Sequence, residues 1–417
     1  MRAAATVWLG GIAEAFADRN FRVYSVGSLI SWITYFLQEI AFSWATWEIT
    51  RSTLWLAAVS LLTLGATIVL VPVGGALADR HDRFRVALAA YACDAAKAGA
   101  LAALAYAHWL SLPILCASAL LHGIIHSFSI PAAYGMMPRF VARERLAAAI
   151  GVSAAYTQFA VFAGPAIAGW LLVRGGVAAA FAANVVGYAV YFVTASRLRT
   201  PDGYVQPKLP PRGLVSDVAE GLAYVRAHAG LRALLALGLA SDAVSAAIYK
   251  LAPAVASLAF GGGAGLLATF YGAAGLGATV SALWIAHGGA ERARPGRIIG
   301  SALGVAIAVA LFAAAPSAVF AVPAMALFGF AAEARRTGTV AMVQRSVDDA
   351  QRGRAMSTLF LFTQIAGGLG TLGVGLAASG PGLRTALMAG AAALVAIWLW
   401  TFAQRRDIAA AFAEVSP

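Results

Sequence analysis

Three charged residues stand inside long apolar stretches of the sequence: Asp242, Glu333 and Arg336. If these stretches cross a membrane as helices, Glu333 lies about 15 Å and Arg336 about 10 Å inside it. An uncompensated charge at that depth costs several kcal/mol, so such residues pair or face a cavity. Glu333 and Arg336 share a helix face, whereas Arg335 is expected to point elsewhere. The set predicts a coupling and substrate site, in which substrate on the arginine could switch the protonation of a carboxylate. The alternative is that this span ends early and that Arg335 and Arg336 belong to the cytoplasmic loop.

Two histidines, His122 and His126, share one face of a predicted helix because they are four residues apart. This spacing could hold a metal ion or relay protons. No cysteine or carboxylate motif completes a metal site, so hydrogen bonding between helices is the alternative. We assign His126 to the proton-coupling set and predict no bound metal. Asp94 and Lys97, three residues apart, are predicted to neutralise each other locally.

A further pair of opposite charges, Glu39 and Lys250, is predicted nearer the outer surface. Each residue stands about 27 Å from the cytoplasmic start of its helix, so the two charges lie at equal depth. The pair predicts an outer gate that closes when the two side chains meet. The alternative is that each side chain extends independently to the outer interface.

The composition places these residues in a membrane protein. The chain has 417 residues, of which 61% are hydrophobic and 12% charged, whereas a soluble protein carries roughly 25% charged residues. Apolar runs of about 20 residues recur along the whole chain, each long enough to cross a bilayer as a helix. They lack the period-two alternation of a membrane β-barrel. The predicted fold is therefore an all-α membrane protein with twelve transmembrane helices. The predicted spans are 21–47, 54–78, 86–108, 112–137, 146–172, 177–196, 231–258, 264–287, 298–314, 318–343, 355–379 and 385–403.

The basic residues predict the orientation of these spans. With the N-terminus inside, 23 of the 30 basic residues fall on the cytoplasmic side, three outside and four within spans. This asymmetry predicts that both termini are cytoplasmic and that the protein is multi-pass in the inner (plasma) membrane. It also accounts for the net charge of +12 without nucleic-acid binding.

A proline-rich stretch divides the chain into two halves. Residues 198–213 (LRTPDGYVQPKLPPRG) hold four prolines and predict an extended linker, which an interfacial helix follows. Six spans precede the linker and six follow it. The predicted organisation is an amphipathic segment at 1–20, a six-helix bundle at 21–197, the linker at 198–230, a second six-helix bundle at 231–404 and a tail at 405–417.

The two halves are related by an internal repeat. At an offset of 206 residues, the matches include Arg139 with Arg345, Thr157 with Thr363, Gln158 with Gln364 and Gly164 with Gly370. This offset makes span 4 the mate of span 10 and span 5 the mate of span 11. An offset of 210 residues relates span 1 to span 7. Such repeats are typical of transporters that alternate access around a site near the membrane midplane.

The loop between spans 2 and 3 carries a recognisable motif. It reads GGALADRHDRFRV at residues 74–86 and resembles the signature loop of the major facilitator superfamily (G-x-L-a-D-r-x-G-r). The matching residues are Gly75, Leu77, Asp79, Arg80 and Arg83, and Asp82 replaces the usual glycine. Its ALADR-x-DR form is similar to the branch that holds macrolide-efflux and enterobactin-exporter-like proteins. Residues 138–149 and 343–357 resemble that branch too.

The resemblance implies two pseudo-symmetric six-helix bundles, with spans 1, 4, 7 and 10 lining a cavity. It also implies that Asp79, Arg80 and Arg83 take part in conformational gating, with Asp79 holding the two halves together on the inside. The alternative for this loop is a solvated turn that only sets the topology. In span 5, Gly164, Pro165 and Gly169 resemble the motif of facilitator antiporters, which favours export over import. These residues also permit a bend and tight packing.

The sequence and the resemblance together predict a secondary active, proton-coupled exporter of a small amphipathic compound such as a drug or siderophore. Its expected partners are the small-molecule substrate, protons and the lipid bilayer, and it is expected to act as a monomer without a cofactor. A metal-ion or metal-chelate exporter is the alternative within transport, and a non-transporting receptor or scaffold is the alternative of another class. No metal-ligand motif, nucleophile elbow or phosphate loop occurs in the sequence, so an enzyme is not expected.

Overall fold

The apolar runs form helices because, in a bilayer, each backbone polar group must be hydrogen-bonded within the protein. The computed structural model describes residues 16, 19–134, 146–198, 229–288, 295–346, 349–380, 382–405 and 408. Within the described residues, each predicted run coincides with helix over most of its length. The helices are α1 (Arg19–Thr50), α2 (Thr53–Arg80), α3 (Arg83–Tyr106), α4 (Leu112–Tyr134), α5 (Leu146–Ser196), α6 (Ala229–Ala254), α7 (Ala264–Gly288), α8 (Pro295–Ala314), α9 (Ala318–Ser346), α10 (Asp349–Ala378) and α11 (Leu383–Ala403).

Helix α5 contains two predicted spans in one element. Its backbone leaves the helical region at Gly176, where φ is 66°, a conformation that glycine adopts without steric cost. The first arm of α5, residues 146–175, includes Pro165. The second arm covers residues 177–196. The two predicted spans are therefore joined directly, without a loop.

The described residues contain ten helices that are long and apolar enough to cross a membrane, with α5 counted once and α1 not among them. This confirms an all-α, multi-pass membrane protein. Counting the arms of α5 separately and adding α1 gives twelve helices. The number of twelve spans stays a prediction.

The chain divides into two compact units. The first unit comprises Met1–Ala45 and Gly65–Pro211, and the second comprises Thr46–Leu64 and Arg212–Pro417. The segment Thr46–Leu64, which the sequence assigns to the N-terminal bundle, thus falls in the second unit. The physical reason is contact with α10, where the Thr53 hydroxyl donates a 3.2 Å hydrogen bond to the carbonyl oxygen of Gly375. The bundle boundaries themselves stay a prediction.

Corresponding contacts within each unit follow the internal repeat. In the first unit, a Cβ on Gly164 of α5 would lie 2.8 Å from the carbonyl oxygen of Ile33 on α1. In the second unit, a Cβ on Gly370 of α10 would overlap the backbone of Ala243 on α6. Ile33 and Ala243 are 210 residues apart, which is the offset between spans 1 and 7. The repeat seen in the sequence is thus also a repeat of helix packing.

The departure of the loop motif from its usual glycine has a structural explanation. Asp82 is the N-cap of α3, and its carboxylate accepts hydrogen bonds from the backbone N–H groups of Phe84, at 2.8 Å, and Arg85, at 3.4 Å. A side-chain acceptor at this position satisfies donors that the first turn of a helix leaves open.

Some predicted features lie outside the described residues. These are most of the segment 1–20, most of the linker 198–230, the motif at 138–145 and most of the tail 405–417. The backbone of α2 is helical through Asp79 and Arg80, and α3 begins at Arg83. The side chains of these three residues lie outside the described part, so their gating role stays a prediction.

Candidate functional site

Asp242 forms an ion pair with Arg335 in the second unit. The guanidinium group of Arg335, on α9, donates from Nη2 to Oδ1 of Asp242, on α6. Thr363 of α10 donates from its hydroxyl to the other carboxylate oxygen at 3.2 Å. The side chain of Arg335 is only 3% exposed. Three helices therefore place one carboxylate and one arginine in a buried, hydrogen-bonded arrangement.

Glu333 pairs with Arg336 on the same helix. Nε of Arg336 lies 3.0 Å from Oε2 of Glu333, and Nη2 lies 2.9 Å from Oε1. The Thr337 hydroxyl donates to Oε1 at 2.6 Å. The side chain of Glu333 is 11% exposed, whereas that of Arg336 is 55% exposed. In this pair the carboxylate of Glu333 is shielded from solvent, whereas the guanidinium group of Arg336 is accessible.

The expectation that Arg335 points away from the site was wrong. Arg335 and Arg336 are adjacent on α9, so their side chains leave the helix about 100° apart, and it is Arg335 that faces α6. The two pairs share α9, because Arg335 lies between Glu333 and Arg336 in the sequence. The structure therefore places Asp242, Glu333 and Arg336 in two ion pairs that share this helix and adds Arg335 as a fourth member, and these four residues are the charge network of the second unit.

The network carries no formal charge when both acids are ionised, because two carboxylates face two guanidinium groups. A carboxylate in such a network can be held by an arginine, by a proton or by a ligand group. The residue types are therefore those that a coupled proton and ligand site would need.

A second group of ionisable residues lies in the first unit. The Lys97 ammonium lies 2.6 Å from Oδ1 of Asp94 and 2.7 Å from Nδ1 of His122, and all three side chains are buried. Nδ1 of His122 lies 3.3 Å from the same carboxylate oxygen. The local neutralisation predicted for Asp94 and Lys97 is present in the structure. The sequence missed the participation of His122, although the helical spacing of its neighbour His126 had drawn attention to that face.

His126 lies beside this group, in the first unit and on the same helix as His122. The two imidazole ring centroids are 5.4 Å apart, and the Tyr35 ring lies edge-on to His126 at 5.6 Å. His126 therefore lies with the buried cluster of the first unit, and its grouping with Asp242 and Glu333 stays a prediction.

The residues predicted for the outer gate and for the antiporter-like motif lie on α1, α6 and α5. Glu39 is half-buried on α1, and Lys250 is half-buried on α6. They belong to different units, and their pairing stays a prediction. Gly164, Pro165 and Gly169 are buried in the first arm of α5, where Gly164 packs closely on α1.

The candidate ligands of a metal ion are His122 and His126. The part of the chain that the structure describes contains no group of three or more His, Cys, Asp or Glu residues placed to hold a metal ion. Within that part, His122 and His126 are thus not joined by a third ligand of these types.

Comparison with protein families gives a match over nearly the whole chain. The family described as transmembrane secretion effector matches residues 12–412.

Curated relatives include two kinds of efflux protein. Enterobactin exporter EntS of Shigella boydii is 29% identical over 356 residues, covering 83% of this chain and 82% of that protein. Macrolide efflux protein A of Streptococcus pyogenes is 28% identical over 254 residues, covering 60% of this chain and 62% of that protein. The chain thus spans less than two thirds of the length of the macrolide relative.

Solved structures show the same fold at low sequence identity. A bacterial homologue of the human lysosomal transporter Spinster, in an inward-facing conformation, gives a TM-score of 0.69 at 16% identity and covers 94% of this chain and 97% of its own. A POT family transporter in complex with 5-aminolevulinic acid gives a TM-score of 0.72 at 13% identity, with the same coverage of both chains.

Proposed function

The chain belongs to the transmembrane secretion effector family of the major facilitator superfamily, and on this premise we propose that it exports a small amphipathic compound in exchange for protons. The described residues contain ten candidate membrane-spanning helices, and the proposal is that the chain is a transporter of a small molecule and not an enzyme. The proposal adds the direction, the coupling ion and the class of cargo.

One observation carries the proton coupling: Arg336 is 55% exposed although it lies within an apolar, membrane-spanning stretch of α9. A guanidinium group exposed to lipid at this depth would be costly, so the exposed part faces water. Its partner Glu333 is shielded from solvent by comparison. Because the Arg336 guanidinium group is accessible, a ligand can reach this ion pair and separate Arg336 from the Glu333 carboxylate.

The exchange then follows from charge balance. A substrate group that donates a hydrogen bond to the Glu333 carboxylate, or carries a positive charge beside it, takes the place of Arg336. A proton bound to the same carboxylate excludes this group, so the substrate is released when the proton binds and can bind again when the proton has left. Asp242 and Arg335 act as the buried counterpart of this pair and respond to its charge. Proton and substrate thus compete for one charge balance, which is a physical route to antiport.

The class of cargo rests on the relatives. Their names report the efflux of a macrolide in one case and the export of enterobactin in the other. Both are bulky amphipathic compounds with many oxygen atoms. We propose a cargo of the same class, moved outward across the inner membrane by a monomer with both termini in the cytoplasm.

The conformational part of the proposal assigns two gates. Asp79, Arg80 and Arg83 close the cytoplasmic side, and Glu39 and Lys250 close the outer side. If the outer pair closes by mutual attraction, Glu39→Lys and Lys250→Glu should each lose transport, and combining them should restore it. A double variant as inactive as the single variants would count against the pair.

Proteoliposomes with an acidic lumen test the proposal directly. Erythromycin and enterobactin are added outside, and luminal pH is followed with a trapped dye while substrate uptake is measured. Antiport predicts substrate uptake with alkalinisation of the lumen, beyond the passive uptake measured in protein-free liposomes. Glu333→Gln and Asp242→Asn should abolish both signals while expression and membrane insertion are retained. Wild-type behaviour of both variants across the pH range would rule out this coupling site.

A further inference from the structure

The buried cluster of the first unit has a feature that helix packing does not require. Its members are Asp94 and Lys97 of α3 and His122 of α4. At the repeat offset of 206 residues, His122 corresponds to Phe328, which is 1% exposed in the second unit. The second unit therefore has an apolar side chain at the position where the first unit has the imidazole of His122.

Stability does not explain this difference. A buried ion pair loses much of its attraction to the cost of removing both charges from water, and well-packed apolar residues are often at least as stabilising. Since Phe328 fills the position that corresponds to His122 with an apolar side chain, the ionisable cluster calls for a function. Its geometry indicates which one.

Lys97 and His122 can share one proton, because Nδ1 of His122 lies near both the Lys97 ammonium and the Asp94 carboxylate. Nδ1 of His122 lies 2.7 Å from the Lys97 ammonium and 3.3 Å from Oδ1 of Asp94. When Lys97 is charged, Nδ1 must carry a lone pair to accept its hydrogen bond. When Nδ1 is protonated, it can instead donate to Asp94. In both states the cation stays beside the same carboxylate oxygen.

We propose that Lys97 and His122 form a proton relay in the first unit, with Asp94 as their shared counter-anion. An N–H bond of the Lys97 ammonium breaks as an N–H bond forms at Nδ1, which leaves a neutral amine and an imidazolium. The Nε2 proton of His122 then leaves to water, which leaves a neutral ring protonated on Nδ1. A proton from water restores the Lys97 ammonium. Water then takes the Nδ1 proton and returns one to Nε2, which restores the starting tautomer, so in each cycle one net proton enters at Lys97 and one leaves at His122.

Other ionisable groups face the relay and set its electrostatics. These are Glu39 and Tyr35 on α1, Tyr91 on α3, His126 on α4 and Tyr188 on the second arm of α5. His126 is the nearest further imidazole, with its ring centroid 5.4 Å from that of His122. The relay rests on the proposed proton coupling and gives it a second location, in the unit that does not contain Asp242 and Glu333.

The protonation state of His122 tests the relay without any transport measurement. ¹⁵N spectra of histidine-labelled protein in nanodiscs report which ring nitrogen carries a proton, and His122→Asn assigns the signal by removing it. We expect an unprotonated Nδ1 in the wild type and a protonated Nδ1 in Lys97→Met, where Asp94 is the remaining partner. His81→Asn, at an exposed histidine, is the assignment control. A protonated Nδ1 in the wild type, or the same ring state in Lys97→Met, overturns the relay.

Transport in acid-loaded proteoliposomes supplies the second arm. His122→Asn should lose uptake driven by the pH gradient but keep substrate counterflow, which needs no net proton movement. The triple variant Asp94→Ala, Lys97→Met, His122→Phe leaves no buried charge behind, so it should fold and show the same uncoupling.

The two hypotheses fail in different ways. If the wild type shows no uptake driven by the pH gradient, proton coupling itself is wrong and the relay is lost with it. If the wild type is coupled, and both His122→Asn and the triple variant remain coupled, only the relay is wrong.

Discussion

Nη1 of Arg335 lies 3.5 Å from the position that a Cβ atom would occupy on Gly238. Gly238 is one helical turn before Asp242 on α6, so the guanidinium group passes over it to reach its carboxylate. A contact of 3.5 Å is ordinary van der Waals packing. A methyl group therefore fits at this position, whereas a longer side chain does not.

The series Gly238→Ala and Gly238→Leu should separate these cases. We expect Gly238→Ala to transport within about twofold of the wild type, because the change is small and the helix gains propensity. Gly238→Leu should lose most transport, because it displaces Arg335 from Asp242. Gly300→Leu, at an exposed glycine of α8 with no atom within 4 Å of an added Cβ, is the control for a bulky residue. Initial rates in proteoliposomes check the series, and an active Gly238→Leu would contradict it.

Loss of one partner should destabilise the two ion pairs of the second unit to different degrees. Asp242→Asn leaves the buried Arg335 without its anion, which we expect to cost about 3 kcal/mol of unfolding free energy. Glu333→Gln leaves Arg336, which is 55% exposed and can be hydrated, so we expect a loss below about 1 kcal/mol. Thermal unfolding of the purified proteins in detergent gives the order. Equal losses, or the reverse order, would show that burial does not set the strength of these pairs.

Helices α7 and α9 pack through a reciprocal pair of glycines. An added Cβ on Gly277 would overlap the carbonyl oxygen of Ala326, and one on Gly329 would overlap that of Ala274. Neither backbone atom can move aside without shifting its helix, so Gly277→Ala and Gly329→Ala should each cost about 1–3 kcal/mol. Gly272→Ala, on the same helix α7 with no atom within 4 Å of an added Cβ, should be neutral or slightly stabilising. Apparent melting temperatures test this, and three similar values would refute the close contact.

Arg384 closes two helix ends in the second unit. Nη1 donates to the carbonyl oxygen of Ala315 at 2.9 Å, and Nη2 donates to that of Ala259 at 3.0 Å. The guanidinium carbon also lies 5.0 Å from the centroid of the Phe260 ring. Because charged hydrogen bonds contribute about 1.5–3 kcal/mol each, Arg384→Met should lower thermal stability markedly.

The variant Arg384→Lys separates charge from geometry at this position. An ammonium group keeps the positive charge but cannot reach both carbonyl oxygens in the planar fork of arginine. We expect a melting temperature between those of the wild type and Arg384→Met. A lysine variant as stable as the wild type would mean that charge alone is sufficient.

The positions of the helices could be predicted from the sequence, whereas their rotations could not. Apolar runs end where charges or glycines appear, so predicted and observed helix ends can agree closely, as for span 385–403 and α11 (Leu383–Ala403). The choice between Arg335 and Arg336 depends on which side of α9 faces α6. The spacing of Glu333 and Arg336 places these two residues on one face and Arg335 on another, but no residue pattern on α9 shows which face packs against α6.

The cluster around His122 escaped prediction for a related reason. Asp94 and Lys97 were recognised as a pair because their spacing is local, but His122 lies 25 residues after Lys97. Contact between α3 and α4 depends on tertiary packing, which spacing within one helix does not report. The repeat could have helped, since comparing His122 with Phe328 marks a polar residue where the other half has an apolar one.

The hydrogen bond from Thr53 to Gly375 joins residues 322 positions apart, and this separation sets a delay during synthesis. At a rate of roughly 5–20 residues per second, the ribosome needs about 15–65 seconds to make the intervening chain. Throughout that interval the first half of α2 has left the ribosome without α10, and only lipid or the insertion machinery can surround it. The described span that contains it, Thr53–Val71, is the most hydrophobic of the ten candidate spans. Its composition therefore suits a helix that must be stable in lipid before its protein neighbour exists.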